Sequence, residues 1–196
     1  CKNAVEIAGA RAAHVRDAVA VVRFLAWLDA QLEEGRYHDE AALADQLLAF
    51  RADGEHFQGP SFDTISAAGG NAAMCHYNHR NATPARLPPN SVYLVDSGGQ
   101  YTDGTTDITR TVAIGTPAAG VRKLFTLVLQ GHIALDQAHF PRGTTGTHLD
   151  VLARQPLWRE GFDYDHGTGH GVGAFLSVHE GPQRISRAWS AATLEP

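Results

Sequence analysis

The chain predicts an α+β fold of two halves, each a pair of helices followed by antiparallel strands, with the second half short of strands. Three observations predict it. Helical periodicity covers residues 4–34 and about 40–51, turn-punctuated β-like runs cover 61–112, and helical periodicity returns after 116. Only two further strand candidates follow, fewer than a second sheet like the first requires. No residue-level repeat relates the halves.

The elements follow in order. From Ala4 to Glu34, Val15, Val19, Val22, Leu25, Leu28 and Leu32 recur at three- and four-residue steps, so this row is expected to face a core, with Gly35 closing the helix. A second helix is expected from about Glu40 to Arg51, capped by Asp39, carrying Leu43, Leu47 and Phe50 on one side and ending at Gly54. Strand candidates are 62–65, 74–77, 92–95 and 108–112, separated by Gly69-Gly70-Asn71, Pro88-Pro89-Asn90 and Asp103-Gly104 turns; together they predict an antiparallel sheet. Thr116-Pro117 reads as a cap and first helical position, opening a helix with Val121, Leu124, Phe125, Val128 and Ile133 that ends near Pro141. Thr147-His148-Leu149-Asp150 resembles a capping box with Asp in place of Glu, and its helix is expected to kink or restart at Pro156. The late strand candidates are 162–166 and 174–178.

Composition bounds the function. The 196 residues suffice for one core, with 43% hydrophobic and 19% charged residues. A net charge of −5 and the absence of any Lys/Arg cluster argue against nucleic acid or an anionic membrane as partner, so a small substrate is expected. No apolar run approaches the roughly 20 residues of a spanning helix. Cys1 and Cys75, far apart and outside any CxxC spacing, predict neither a disulfide framework nor a zinc cluster, which makes a reducing cytoplasm the expected compartment.

The chemistry is concentrated in two stretches. Asp96 and Asp107 lie eleven residues apart on β-like runs joined by a turn-rich connection that can bring both carboxylates to one rim. Hard oxygen ligands suit Mn, Mg, Co or Zn, and ions about 3.5 to 4 Å apart can share a carboxylate. The bland reading is that Asp96 caps a turn and Asp107 starts a strand; Asp103, in an Asp-Gly turn, is the weaker candidate. His166 and His170 are four apart, but glycines at 167, 169, 171 and 173 oppose a helix and predict an extended segment that approaches a metal or substrate closely. With 11 histidines in the chain, the His pair alone is weak; the glycine alternation makes it specific. His76 and His179, taken singly, read as packed or capped rings. His14, His38, His56, His132, His139 and His148 have no ligand spacing, Tyr77 and Trp158 read as core aromatics, and Arg110 is expected to pair with a carboxylate near the site.

These motifs together resemble the pita-bread metallopeptidases, and within them the cytosolic Xaa-Pro aminopeptidases (aminopeptidase P). The resemblance runs through Lys2-Asn3 and Glu6, Gly70-Asn71-Ala72-Ala73 leading to His76-Tyr77, the block from Asp96 to Thr111, His166 to Gly173, and Val178 to Pro182. It implies the pita-bread (creatinase/aminopeptidase-like) fold, with residues 1–196 as a catalytic domain incomplete at its C-terminus and the N-terminal domains of the larger enzymes absent. It implies that Asp96, Asp107 and His170 bind two divalent ions, Mn first and Co or Zn next, while His76, His166 and His179 line the substrate cleft. The implied reaction is hydrolysis of the first peptide bond when proline is second, by a hydroxide held between the ions. Two later Glu ligands are expected beyond the Leu194-Glu195-Pro196 stretch, so this fragment alone is expected to be inactive. The implied partner is a peptide with proline at its second position; neither nucleic acid nor membrane is expected, and a homodimer is left open. Competing readings are a prolidase or another pita-bread hydrolase, a non-catalytic peptide-binding relative, and an inactive truncated product.

Overall fold

A computed structural model describes residues 1–195; Pro196, the last residue of the stretch that the resemblance singles out, lies outside the described residues. The chain divides into two compact units, one of residues 1–117 with 172–178, the other of 118–171 with 179 onward.

The first unit begins with α1 (Ala4–Glu33), started by a reciprocal capping box in which the Asn3 side chain accepts from the Glu6 amide and the Glu6 carboxylate accepts from the Asn3 amide. Asp39 caps α2 (Glu40–Ala52) by accepting from the Ala42 amide. Six strands follow, β1 (Phe57–Pro60), β2 (Ile65–Ala68), β3 (Ser91–Ser97), β4 (Gly99–Tyr101), β5 (Gly104–Thr105) and β6 (Ile108–Ile114). They form two antiparallel sheets ordered β2-β3-β6 and β1-β4-β5. Val21, Phe24 and Leu28 of α1, Leu43 and Leu47 of α2, Tyr93 and Val95 of β3 and Ile114 of β6 form one buried cluster. Burying each such side chain contributes about 1.5–3 kcal/mol as an upper estimate.

The predicted α1 helix forms, but its buried row differs from the expected one. Val15, Val19 and Val22 are 68%, 56% and 64% exposed, whereas Ala13, Asp17, Ala20, Val21, Phe24 and Leu28 are buried. Asp17 is drawn inside by Arg51 of α2, which donates twice to it at 2.6 and 3.0 Å, and by the Tyr101 hydroxyl at 2.7 Å. A hydrophobic count cannot anticipate a row set by a fork-shaped ion pair and by alanines that allow close approach. Residues 74–77 form no strand, and of the 62–65 candidate only Ile65 is in a strand, as the first residue of β2.

In the second unit, α3 (Ala119–Asp136) packs on α4 (Gly146–Trp158), and β7 (Gly169–Gly171) pairs antiparallel with β8 (Glu180–Ile185). Thr116 is not the cap of α3: its amide donates to the Asn90 side chain, and Ala118 stands at the cap position without a side-chain bond. The capping box of α4 is Thr145 with His148, two residues before the predicted one, because Asp150 is buried against Arg154 instead of reaching back to the helix start. The helix continues through Pro156 to Trp158, which is 43% exposed. Neither late strand candidate forms; β7 and β8 stand in their place.

Candidate metal and peptide site

Asp96 lies on β3, the middle strand of its sheet, where burial alternates so that Tyr93, Val95 and Ser97 face the core. Asp96 therefore points to the opposite face. Antiparallel register sets Asp96 across from Thr109, and Asp107 stands two residues before Thr109, next to the start of β6. The paired register ends at Ser97 and Ile108, so Asp107 stands just outside the sheet, one residue before β6. Asp96 Oδ1 accepts from the Thr109 hydroxyl at 2.8 Å, the one hydrogen bond of its carboxylate among the described residues. The link into Asp107 is held by Thr106, whose hydroxyl accepts from the Gly99 amide at 2.8 Å and whose carbonyl accepts from the Ser61 hydroxyl at 2.8 Å.

Asp103 is occupied elsewhere, paired with Arg16 of α1. Arg110 is exposed, and its guanidinium donates to the Thr109 carbonyl at 2.7 Å rather than to a carboxylate. Residues 174–178, expected as a strand, lie in a loop of the first unit: the Leu176 carbonyl accepts from Gln100 and Thr105 side chains, each at 3.0 Å. Thr105 is two residues from Asp107.

His76 is exposed, with a left-handed backbone (φ 58°), in the turn-rich connection between β2 and β3. That connection is anchored by a residue whose role sequence reasoning missed. The buried Glu40 carboxylate accepts from the Ala68 amide, the Asn71 side chain and the Tyr77 hydroxyl, each at 2.8 Å, and from the Ala85 amide at 2.9 Å. Burial alone pushes the Glu40 carboxyl up, but the bonds from Asn71, Ala68, Ala85 and Tyr77 outweigh it and hold it below 4.5. Tyr77, next to His76, is pushed up by burial and by this carboxylate. An acidic first-turn residue is common in helices, so nothing local marked Glu40 as a hub.

In the second unit, His166 and His170 lie on the extended, glycine-spaced segment that the sequence predicts, with His170 on β7. Close approach is required at Gly171, where a Cβ would stand 2.7 Å from the Glu180 carbonyl oxygen of β8. Each imidazole is oriented by its own backbone: Nδ1 of His166 lies 2.7 Å from the Gly167 carbonyl, and Nδ1 of His170 lies 2.8 Å from that of Gly171. Carbonyl oxygens only accept, so Nδ1 donates in both rings, which in a neutral imidazole places the lone pair on Nε2. His179 meets His170 edge-on, ring centroids 4.3 Å apart.

Among the described residues, no three His, Cys, Asp or Glu side chains are gathered closely enough to hold an ion by themselves. The donor types nonetheless suit hard or borderline divalent ions: Asp96 carries a carboxylate bonded through Oδ1 by Thr109, and His170 carries an imidazole.

Residues 8–196 match the profile of metallopeptidase family M24. The chain belongs to that family. It is 55% identical over 182 residues to a probable Xaa-Pro aminopeptidase P of Verticillium alfalfae, covering 92% of this chain and 30% of the relative. It is 49% identical to aminopeptidase P1 of Arabidopsis thaliana, covering 94% of this chain and 32% of the relative. The fold superposes on the X-prolyl aminopeptidase of Caenorhabditis elegans, described as a cytosolic enzyme with a di-nuclear active site, with a TM-score of 0.95 at 45% identity, covering 99% of this chain and 32% of that one. The Xaa-Pro dipeptidase of Bacillus anthracis matches with a TM-score of 0.85 at 26% identity, covering 100% of this chain and 51% of that one. This M24 chain thus spans about a third of the length of its curated relatives. The fold is the pita-bread type expected from the sequence.

Proposed function

We propose that this M24 protein is a metal-dependent aminopeptidase that releases the N-terminal residue from peptides with proline at the second position. The observation that supports the reading is the β3–β6 register, which pairs Asp96 with Thr109 two residues after Asp107, the Thr109 hydroxyl donating to Asp96. Asp96, Asp107 and His170 through Nε2 would hold the metal. Bound divalent ions, Mn foremost and Co or Zn as alternatives, lower the pKa of water and polarise the scissile carbonyl.

The remaining steps belong to side chains. His179, beside His170, donates a hydrogen bond to the oxyanion that develops as the peptide carbonyl becomes tetrahedral. His166 and His76 shape the prolyl pocket and move the proton to the departing amine. The similarity to a cytosolic enzyme supports a cytoplasmic site of action, and among the described residues no helix is long and apolar enough to cross a membrane. We read residues 1–196 as part of the catalytic domain. Asp96, Asp107 and His170 are too few donors for two ions, so the 196 residues alone are expected to be inactive.

The test is hydrolysis by the full-length protein with added Mn, using an Xaa-Pro-containing tripeptide and an Xaa-Pro dipeptide. Release of the first residue from the tripeptide supports the reading. Cleavage of the dipeptide alone assigns a prolidase instead, as the likeness to the dipeptidase would favour. Absence of metal and of both cleavages in a folded protein returns Asp96, Asp107 and His170 to structural roles.

A further inference from the structure

The roles proposed above make no use of Arg154, yet this residue has one of the densest sets of polar contacts in the second unit. It sits on α4 with no exposed surface. Its Nε donates to Asp150 one turn earlier at 2.7 Å, Nη1 donates to Asp163 at 2.9 Å and to the Tyr164 carbonyl, and Nη2 donates to the His166 carbonyl at 2.8 Å. The guanidinium carbon lies 3.8 Å from the centre of the Tyr164 ring, and that ring stacks on His166 with centroids 4.7 Å apart. Asp150, itself buried, uses its other oxygen to accept from the Thr168 hydroxyl, which shares a second hydrogen bond with the Tyr164 hydroxyl at 2.6 Å.

The contacts therefore run along consecutive parts of one segment: Asp163, Tyr164, His166 and Thr168, ending immediately before β7. At that point the Thr168 amide donates to the Ile185 carbonyl at 2.9 Å, and sheet pairing takes over. Glycines alternate with the histidines here, so the segment has little conformational preference of its own and takes its shape from outside. A planar guanidinium fixes several donor directions at once, which an ammonium cannot do. A buried ion pair is weak evidence for stability, since apolar residues of similar volume pack a helix as well. What apolar residues cannot do is terminate the Tyr164 and His166 carbonyls and hold the ring against which His166 stacks.

We infer that Arg154, seated on Asp150, is a positioning residue for the peptidase reaction: it sets the orientation of His166 directly and the entry of the backbone into β7, and so of His170. This rests on the function proposed above only for the word peptidase; the orientation itself is independent of it.

Two variants test it in the full-length protein, Arg154→Lys, which keeps the charge and loses the fork, and Thr168→Val, which removes one hydroxyl with little change of shape. With saturating Mn, Arg154→Lys is expected to lower kcat about 10- to 100-fold, as loss of an outer-sphere orienting group does. KM is expected to stay within about threefold, because substrate binding is not what is lost. Thr168→Val should shift in the same direction by less. Independently of activity, nuclear magnetic resonance on isotope-labelled histidine is expected to show His166 protonated at Nδ1 in the parent and as a tautomer mixture in Arg154→Lys. An unchanged His166 tautomer in a folded Arg154→Lys protein overturns the inference, as does a kcat loss that only tracks the folded fraction. If the parent cleaves no Xaa-Pro peptide, the proposed function fails, and the tautomer measurement alone then decides the role of Arg154.

Discussion

His179 stands edge-on to His170 with ring centroids 4.3 Å apart, and this contact separates two jobs for two imidazoles. If His170 holds metal and His179 meets the oxyanion, His179→Ala in the full-length protein should lower turnover about 100- to 1,000-fold while metal content stays near that of the parent. Equal loss of both removes the role. Glu40 makes the complementary case for a residue whose importance is invisible locally. Its carboxyl is held below its usual range by four donors, so the ionised form is favoured in the fold and its contribution is fully present above pH 4.5. That contribution is lost as pH falls through the lowered value, so unfolding in acid should begin below pH 4.5 and Glu40→Gln should flatten that limb of the stability profile. Asp163 behaves likewise at the other histidine segment, held to about 2 by the hydrogen bond from Arg154 and then by that of the Tyr164 amide. Asp96, Asp107, His166 and His170 were singled out in the sequence because the motifs around them, above all the alternating glycines, are local. Glu40 and Arg154 were not, because two of the Glu40 partners, Ala68 and Ala85, lie 28 and 45 residues away, and Arg154 gathers its partners from a loop with no regular period.

Helices were legible as elements because their start signals are local. Asn3 with Glu6 and Asp39 with the Ala42 amide satisfy amide groups within one turn, and Asp39 lies where the sequence places it. Which face a helix buries was less legible, since α1 turns its alanines and Asp17 inward and leaves Val15, Val19 and Val22 outside. The contact of α3 with α4 shows the same preference for close approach. A Cβ on Gly131 would stand 2.1 Å from the Ala153 carbonyl oxygen, so backbone meets backbone there. Gly131→Ala must push the helices apart, and denaturant unfolding should show a loss of about 1–3 kcal/mol despite the better helix propensity of alanine. An unchanged midpoint would mean that the two helices do not meet this closely. Strand 74–77 failed for a related reason: its apolar and aromatic residues suit a strand, but Glu40 draws Asn71 and Tyr77 into a turn.

At the scale of the molecule, the two units divide near Pro117, where the helix-helix-sheet order of the sequence begins again. Metal binding is the property of the proposed enzyme that is tested on the full-length protein. Mn at a hundred times its Kd should therefore stabilise the full-length protein by about 2.7 kcal/mol, measured as a rise in the unfolding midpoint that chelation reverses. Asp96→Asn should abolish that rise while leaving the midpoint of the metal-free protein nearly unchanged, because Asp96 makes one exposed hydrogen bond. A metal-independent midpoint in the parent would remove Asp96, Asp107 and His170 from the ligand set.

By itself the sequence determined the α+β class, the long first helix, the cap of the second, the antiparallel pairing around Asp96, the extended form of the histidine segment and the metallopeptidase family. All of these rest on patterns repeating within a few residues or on motifs of fixed spacing. Only the tertiary structure decided which face of α1 is buried, that Glu40 holds the His76 connection and that Arg154 holds the His166 segment. Each of these depends on a buried charge finding several partners distant in sequence, and the cost of leaving such a charge unpaired overrides local hydrophobic pattern.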